Sequence, residues 1–185
     1  MKQYSVILCD PPWEYDRKVG QGIAQDYYPT MSLADICALP VADIAAKDSV
    51  LFMWVTFPML REGLEVINAW GFQYKTCAFT WIKTNPKAGT PFWGMGFWTR
   101  SNAEICMLAT KGKPKRNSNR VHQVIHSPIR RHSQKPDEAR LRIEQLMGDV
   151  PRIELFAREA APGWDVWGNE VECSIQLNEF KEGML

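Results

Sequence analysis

The sequence predicts an α/β protein with a mostly parallel, doubly wound sheet. Two observations lead to this prediction: short apolar runs rich in β-branched and aromatic residues alternate with helical segments, and turn residues separate the two kinds of segment. Such runs are typical of strands that are covered on both faces. The 185 residues, 45% of them hydrophobic, suffice for a sizeable core, so residues 1–185 are treated as one domain.

The strands are predicted from their apolar runs, at 5–9, 49–55, 76–82, 103–109, 153–157 and 164–167. The helices are predicted from their end signals. Ser32 to Asp35 has the form of a capping box and opens a short helix through Leu39. A second helix runs from Pro58 to Trp70, before Gly71. A third runs over 136–147, where a proline and two acidic residues occupy the first turn.

Three connections are long enough to serve as active-site or substrate loops, namely 14–31, 85–98 and 110–134, and residues 171–185 are predicted to form a peripheral tail. The second of these loops is rich in glycine, proline and tryptophan. Its large aromatic side chains have two interpretations: they stack on or wedge between bases, or they form a small hydrophobic core beneath the loop. These side chains are Phe92, Trp93, Phe97 and Trp98.

Composition excludes several classes of protein. No apolar run is long enough to cross a bilayer, and the first residues lack the pattern of a signal peptide. The five cysteines are scattered without metal-ligand spacing, which indicates reduced, buried thiols. The three histidines fall in loop sequence without accompanying ligands. We therefore expect a cytoplasmic protein with no metal site and no membrane partner.

The net charge of +1 conceals a basic block, because no acidic residue occurs between Glu104 and Asp137. Such a block is typical of contacts with phosphates, although most charge runs are simply solvated. The residues predicted to bind a nucleic-acid backbone are Lys111, Lys113, Lys115, Arg116, Arg120, Arg130 and Arg131.

The stretch Cys9-Asp10-Pro11-Pro12-Trp13 ends the first strand. The prolines cannot donate to a sheet ladder, so the strand must stop there and leave Asp10 at its carboxyl end. Ligands of open α/β sheets bind outside these ends. Taken alone, however, the stretch is equally typical of a strand followed by a proline-rich turn.

Several stretches together resemble the N6-adenine methyltransferases of the MT-A type, the family of the messenger-RNA adenosine methyltransferase catalytic subunit. The tetrapeptide from Asp10 to Trp13 is similar to the catalytic motif of that family. The other similar stretches follow in matching order across almost the whole chain: Tyr28–Ser32, Leu51–Val55, Trp81–Asn85, Trp98–Ala109, His132–Glu138, Glu154–Arg158 and Trp164–Glu170.

The resemblance implies a permuted Rossmann-like fold that uses S-adenosylmethionine, with the catalytic motif first and the cofactor strand late. It implies Lys135 as the partner of the cofactor carboxylate, and Arg158 and Asn169 near the ribose, with Glu170 beside them. The remaining cofactor-lining positions that it implies are Cys9, Asp10, Glu154 and Phe156. One departure is that family members usually carry an acidic residue and a strand before the catalytic strand, whereas this chain begins nine residues before Asp10.

The resemblance also implies the chemistry. The exocyclic amine of adenine is a weak nucleophile, and the Asp10 carboxylate together with the carbonyl of Pro11 or Pro12 would accept hydrogen bonds from it as charge develops. Trp13 would stack on the base, and Tyr28 would line its pocket; for both aromatic residues the alternative is packing in the core. A lone cation at a helix start, such as Lys135, is otherwise disfavoured.

We therefore expect transfer of a methyl group from S-adenosylmethionine to adenine N6 in DNA. The first alternative is an RNA adenosine methyltransferase, and the second is a catalytically silent nucleic-acid-binding partner. Silent members tend to lose the aspartate or the lysine, and both are present here. A homodimer or a partner subunit is compatible with the sequence but cannot be derived from it.

Overall fold

The computed structural model describes residues 2–14, 30–96, 98–131 and 133–177. Tyr28, Phe97 and His132 lie outside the described residues. The strands are β1 (Tyr4–Cys9), β2 (Ala45–Val55), β3 (Gln73–Thr84), β4 (Ala103–Lys111), β5 (Val124–Pro128), β6 (Arg152–Leu155) and β7 (Asp165–Trp167). The helices are α1 (Leu33–Ala38), α2 (Val41–Ile44), α3 (Leu60–Ala69) and α4 (Glu138–Met147), and a 3₁₀ turn, Phe57–Met59, precedes α3.

The strands form one seven-stranded sheet in the order β5-β3-β4-β2-β1-β6-β7. Strand β1 pairs in parallel with β2 and β6, β3 with β5, and β6 with β7. Strand β4 runs antiparallel to both of its neighbours, β2 and β3. The predicted α/β fold with a mostly parallel sheet is therefore confirmed.

Helices cover both faces of the sheet. Successive side chains of a strand point to opposite faces, so β1 contributes apolar side chains to a core on each face. On one face Ile7 and Cys9 join a core that includes residues of α1 and α3. On the other face Val6 and Leu8 join a core that includes Ala139 and other residues of α4. Each large apolar side chain buried in this way stabilises the fold by about 1.5–3 kcal/mol, which is why β1 is apolar on both faces.

The predicted cap at Ser32 is observed. The Ser32 hydroxyl accepts a hydrogen bond from the backbone N–H of Asp35 at 3.2 Å and donates one to the Asp35 carboxylate at 2.6 Å, and α1 begins at Leu33. The indole N–H of Trp70 donates to the carbonyl of Ile36 at 2.9 Å, which ties the end of α3 to α1. None of the helices in the described part of the chain is both long and apolar enough to span a bilayer.

Three expectations need correction. The segment 110–134 is not all loop, because β5 lies within it and pairs with β3. Residues 171–177 of the segment expected to form a tail are not peripheral, since Leu177 is buried in the core and Ser174 bonds to Val166 of β7; residues 178–185 lie outside the described residues. Not every thiol is buried: Cys9 and Cys106 are, but Cys173 is exposed. The apolar positions in these segments are too few or too isolated in the sequence for a strand, a packed segment or the burial of a thiol to be predicted from them.

The carboxyl ends of β1 and β6 meet where the chain changes direction across the sheet. From β1 the chain proceeds to β2 on one side, and it later returns through α4 to β6 on the other side of β1. This is the topological switch point of the sheet, where open α/β folds bind their ligands. Asp10 follows β1 at this point and Phe156 follows β6.

Candidate active site

Four charged side chains of alternating sign form a network at this edge of the sheet. The ammonium of Lys135 lies 2.8 Å from Oδ2 of Asp10 and 3.3 Å from Oε2 of Glu104. The other oxygen of Glu104 accepts a hydrogen bond from Lys83. The order is therefore Lys83, Glu104, Lys135 and Asp10, and the four formal charges sum to zero.

Four different elements bring these side chains together. Asp10 follows β1, and Lys135 precedes α4. Lys83 lies near the end of β3, whereas Glu104 lies near the start of β4. Because β4 is antiparallel, its start is adjacent to the end of β2, where Ile105 pairs with Val55. An antiparallel strand is thus what places Glu104 at the same sheet edge as Asp10.

Burial and the opposite charges of the network shift the pKa values of Asp10, Glu104 and Lys135. Burial raises the pKa of Asp10, and the ammonium of Lys135 opposes this shift. Burial also acts to raise the pKa of Glu104, but Lys135 and Lys83 outweigh it and hold that pKa below its usual range. For Lys135 burial acts in the lowering direction, yet the two carboxylates raise its pKa well above its usual range. Lys135 is therefore a firmly protonated cation.

Asp10 is the member of the network that is most open to solvent. Its side chain is 30% exposed, compared with 16% for Lys135, 12% for Glu104 and 20% for Lys83. Its pair with Lys135 uses Oδ2, and a carboxylate carries further lone pairs on both oxygens. Asp10 can therefore accept a hydrogen bond from a substrate while it remains paired.

Two tryptophan rings support the cations from below. The Lys135 ammonium lies 5.9 Å from the ring centroid of Trp54, and that of Lys83 lies 5.0 Å from the ring of Trp81. The two rings meet edge to face at 6.5 Å. Such cation–π contacts contribute about 0.5–2 kcal/mol each when they are shielded from water, and they limit the positions that the ammonium groups can adopt.

The residues after Asp10 form a bonded turn. The N–H of Trp13 donates to the carbonyl of Pro11, and the N–H of Met31 donates to the carbonyl of Pro12, both at 2.9 Å. Each carbonyl oxygen retains a second lone pair, so either can still accept from a substrate amine. This geometry is compatible with the predicted role of a proline carbonyl.

Trp13 does not present a free face, which corrects the expectation that it stacks on a base in this conformation. Its side chain is 5% exposed and belongs to the core that packs against α1 and α3. Within the described residues its indole nitrogen has no hydrogen-bond partner. Core packing, which was the alternative interpretation, is the arrangement that the structure shows.

The segments that follow β6 and β7 pack closely beside Asp10 at the switch point. Phe156 adopts a positive φ of 61°, and the N–H of Ala157 donates to the carbonyl of Trp167 at 3.0 Å. A Cβ on Gly168 would lie 2.3 Å from the carbonyl oxygen of Ala157, so only glycine fits there. This tight backbone turns the next residues, Asn169 among them, toward the surface.

The predicted cofactor residues have identifiable contacts. Arg158 donates to Glu170 at 2.8 Å, and both side chains are at least one-third exposed. Glu154 accepts from Arg140 of α4 at 2.7 Å, and burial raises the pKa of Glu154 although Arg140 opposes the shift. Phe156 meets Trp167 edge to face at 5.4 Å. Their roles toward a cofactor stay predictions.

The basic block is divided between two edges of the sheet, which corrects the expectation of a single clamp. Strand β4 runs from Ala103, next to Glu104 at the active site, to Lys111, which pairs with Ser49 of β2. Seven residues of strand span about 23 Å at 3.3 Å per residue. The ammonium of Lys111 bonds to the carbonyl of Ala42, and the N–H of Lys113 bonds to Asp48.

The residues at the far edge are therefore Lys111, Lys113, Lys115 and Arg116. Strand β5 carries the chain back toward the active site, where Ile129 bonds to the carbonyl of Thr84. Arg130 and Arg131 follow at that edge, and Arg130 forms a two-pronged pair with Asp137. Arg120 precedes β5 and lies between the two groups along the chain. Of the seven basic residues predicted to bind a backbone, Arg130 and Arg131 are the two that follow β5 at the edge where β3 ends.

Within the part of the chain that the structure describes, no three His, Cys, Asp or Glu side chains are grouped so that they could hold a metal ion.

Comparisons with known proteins identify the family. A model of the MT-A70 family matches residues 4–170, which include β1, the four-charge network and the end of β7. The chain belongs to the MT-A70 family. The type II methyltransferase M.MunI from Mycoplasma sp is 34% identical over 92% of this chain and 78% of its own length. This MT-A70 protein is therefore a methyltransferase with a Rossmann-like α/β fold.

Two eukaryotic relatives match as well. The MT-A70-like N(6)-adenosine-methyltransferase of Arabidopsis thaliana is 30% identical over 95% of this chain. The N(6)-adenosine-methyltransferase catalytic subunit METTL3 of Homo sapiens is 31% identical over 92% of this chain. The chain spans 25% of the first and 28% of the second, so it corresponds to about a quarter of these longer relatives.

Glu104 is the functional candidate that sequence reasoning did not identify. An acidic residue in an otherwise apolar strand is a weak signal, because it is also common at strand ends. Knowledge of the direction of β4 would have identified Glu104 as a candidate, because that direction brings Glu104 within 3.3 Å of Lys135. Lys83 lies on the far side of Glu104 from Lys135.

Proposed function

We propose that this MT-A70 protein transfers a methyl group from S-adenosylmethionine to the N6 amino group of adenine in DNA. The observation that supports the proposal most directly is the half-open Asp10 carboxylate, held by Lys135 at the switch point of a methyltransferase sheet. A carboxylate fixed in this way is an acceptor aimed outward from the end of β1.

The residues at the switch point fit the cofactor chemically. Lys135 supplies a protonated ammonium suited to the carboxylate of the methionine part, and it can contact that carboxylate because Glu104 continues to balance its charge. Arg158, Asn169 and Glu170 offer exposed donors and acceptors suited to ribose hydroxyls.

The bound cofactor would supply an electrophilic methyl group on its sulfonium. The protein residues act on the amine: the Asp10 carboxylate and the carbonyl of Pro11 or Pro12 accept hydrogen bonds from its two N–H groups and localise its lone pair. Positive charge grows on the nitrogen during attack, so fixed acceptors stabilise the transition state more than the ground state. Asp10 serves as a hydrogen-bond acceptor and need not be a strong base, because the amine becomes acidic once it is methylated and then releases its extra proton to Asp10 or to solvent.

DNA is favoured over RNA by the degree of similarity. The type II methyltransferase M.MunI is 34% identical to this chain, compared with 30% and 31% for the adenosine methyltransferases. RNA is the second candidate, and the observation that favours it is the number of adenosine methyltransferases among the relatives. The target must leave any base stack to reach Asp10 in either polymer.

The test is methyl transfer from labelled S-adenosylmethionine to duplex DNA, single-stranded DNA and RNA of matched sequence, followed by nucleoside analysis. We expect N6-methyladenine in DNA. Label found only in RNA would replace DNA by RNA as substrate, and N4-methylcytosine would reject the assigned target base. No transfer to any polymer by a folded protein that binds DNA would support the silent-partner alternative instead.

A further inference from the structure

The loop between β3 and β4 presents three large apolar side chains to solvent next to the active site. Trp93 is 59% exposed, Met95 is 89% exposed and Trp98 is 99% exposed. Sequence reasoning left open whether the aromatic residues of this loop form a small core or face outward. For Trp93 and Trp98 the structure shows that they face outward.

The loop holds these side chains outward through its own hydrogen bonds. The amide of Asn102 donates to the carbonyl of Lys83 at 2.9 Å and also to the carbonyl of Phe92, which closes the base of the loop. Nearer the tip, the N–H of Gly94 donates to the carbonyl of Ser101 at 2.7 Å. The backbone is therefore fixed while the large side chains find no cover.

The tip also depends on a close backbone approach. A Cβ on Gly96 would lie 1.8 Å from the carbonyl oxygen of Thr99, so no other residue fits there without a shift of the backbone. The hydroxyl of Ser101 bonds to the carbonyl of Met95 at 3.3 Å. An exposed apolar tip on a bonded loop indicates a contact surface, because burying these side chains against a partner removes apolar area from water.

The base of this loop is continuous with the active site. Asn102, which closes the loop, is two residues before Glu104, and Glu104 lies 3.3 Å from the ammonium that pairs with Asp10. A molecule whose reacting group reaches Asp10 therefore passes close to the loop. The simplest interpretation is that the molecule that contacts Trp93, Met95 and Trp98 is the same molecule that carries the substrate base.

Charge favours a nucleic acid over a protein as that occupant. From Lys83 to Pro136 the chain has a single acidic residue, Glu104, and that carboxylate is neutralised by two lysines. The loop itself adds Lys87 and Arg100 and no acidic residue. Apolar side chains framed by cations are what an anionic polymer with stacked bases requires.

We propose that Trp93, Met95 and Trp98 form an apolar wedge that contacts the bases beside the target adenine. When the adenine leaves the helix, the wedge takes the place of the adenine in the base stack. This inference rests on the proposed function. Base–aromatic stacking contributes about 1–3 kcal/mol per base, so removing one stacking side chain should weaken binding by roughly 5- to 150-fold. Because the contact is apolar, the salt dependence of binding stays the same.

The test compares the wild type with the double variant Met95→Ala and Trp98→Ala, using mixed-sequence duplex DNA at several salt concentrations. Tyr74→Ala is the matched control, because Tyr74 is a partly exposed aromatic residue at the other end of β3. We expect at least a roughly 5-fold weaker affinity with an unchanged salt slope for the double variant, and wild-type binding for the control. We also expect methyl transfer to fall more on duplex than on single-stranded DNA.

Duplex binding by the double variant equal to that of the wild type would overturn the wedge. If the wild type also sediments as a dimer and the variant as a monomer, the tip is a protein interface instead. The proposed function fails separately: weaker binding by the variant without any methylated adenine in the wild-type reaction leaves the wedge and rejects the reaction. If the wild type methylates adenine but the double variant binds duplex DNA as well as the wild type does, the reaction stands and the wedge is rejected.

Discussion

Replacing Glu104 by glutamine tests whether the four-charge network is a working unit. Glutamine keeps the shape of the side chain but removes the negative charge between Lys83 and Lys135. Because both lysines are largely shielded from solvent, each would lose an ionic partner that water cannot fully replace. We therefore expect a loss of stability rather than a neutral change.

The size of the loss follows from the geometry. Breaking a buried ion pair by removing one partner typically costs about 3–5 kcal/mol. Lys135 keeps Asp10 at 2.8 Å, and a glutamine oxygen can still accept from Lys83, so the lower end of about 3 kcal/mol applies here. For a chain of this length, that free energy corresponds to a melting temperature lower by roughly 6–12 °C.

The effect has a defined pH dependence. The lysines lower the pKa of Glu104 in the folded protein, so the folded state binds the proton less readily than the unfolded chain does. The stabilisation is therefore fully present above the unfolded glutamate pKa of about 4.3, and it is lost as the pH falls through the folded value. The stability difference between wild type and Glu104→Gln should shrink over that acid range.

Thermal unfolding of both proteins over a pH series measures this prediction. Glu138→Gln is the control, because the Glu138 side chain is 42% exposed where it pairs with Arg142 within α4, so that its replacement should cost at most about 1 kcal/mol. Equal melting temperatures for the two variants, or a Glu104→Gln deficit that persists unchanged at acid pH, would refute the reasoning.

Three further predictions concern single residues. Lys135→Met should weaken S-adenosylmethionine binding about 10- to 100-fold by calorimetry but leave binding of the decarboxylated cofactor unchanged; equal losses for both ligands would remove the carboxylate contact. Gly168→Ala should cost about 1–3 kcal/mol in thermal unfolding, because its Cβ meets Ala157; wild-type stability would contradict the close approach. Trp13→Ala should cost about 3–5 kcal/mol, whereas Trp98→Ala should stay within about 0.5 kcal/mol, and similar losses would contradict the opposite burial of the two rings.

Much of the sheet could be predicted from local pattern. The apolar run of β1 and the prolines after it were enough to place Asp10 at a strand end, and the capping box at Ser32 marked the start of α1. These features depend on neighbouring residues alone. They follow from burial on both faces, from the missing proline donors and from helix end chemistry.

Strand direction could not be predicted in the same way. A buried strand reads alike in either direction, so the antiparallel course of β4 left no local signal. That direction brings Glu104 to Asp10 and carries Lys111 to the far edge. It explains why Glu104 was missed and why the predicted backbone-binding residues are divided between two edges of the sheet.

Burial of individual aromatics was also not readable from the sequence. Trp13 and Trp98 both follow turn or loop residues, yet one is packed in the core and the other is almost fully exposed. The difference arises from tertiary contacts, since Trp13 is adjacent to Met31 in a bridge and the loop of Trp98 closes on itself. The local sequence alone does not show which of the two tryptophans is buried.

The most direct test of the central claim is methyl transfer by Asp10→Ala under single-turnover conditions with saturating S-adenosylmethionine. Lys135 keeps Glu104 as a partner in this variant, so the fold should persist, and its melting temperature checks that. We expect the rate of N6-adenine methylation to fall by roughly 10²- to 10³-fold, as when one preorganised polar group is removed from a reaction centre. An unchanged rate in the folded variant would contradict the assignment of Asp10 as the acceptor at the amine.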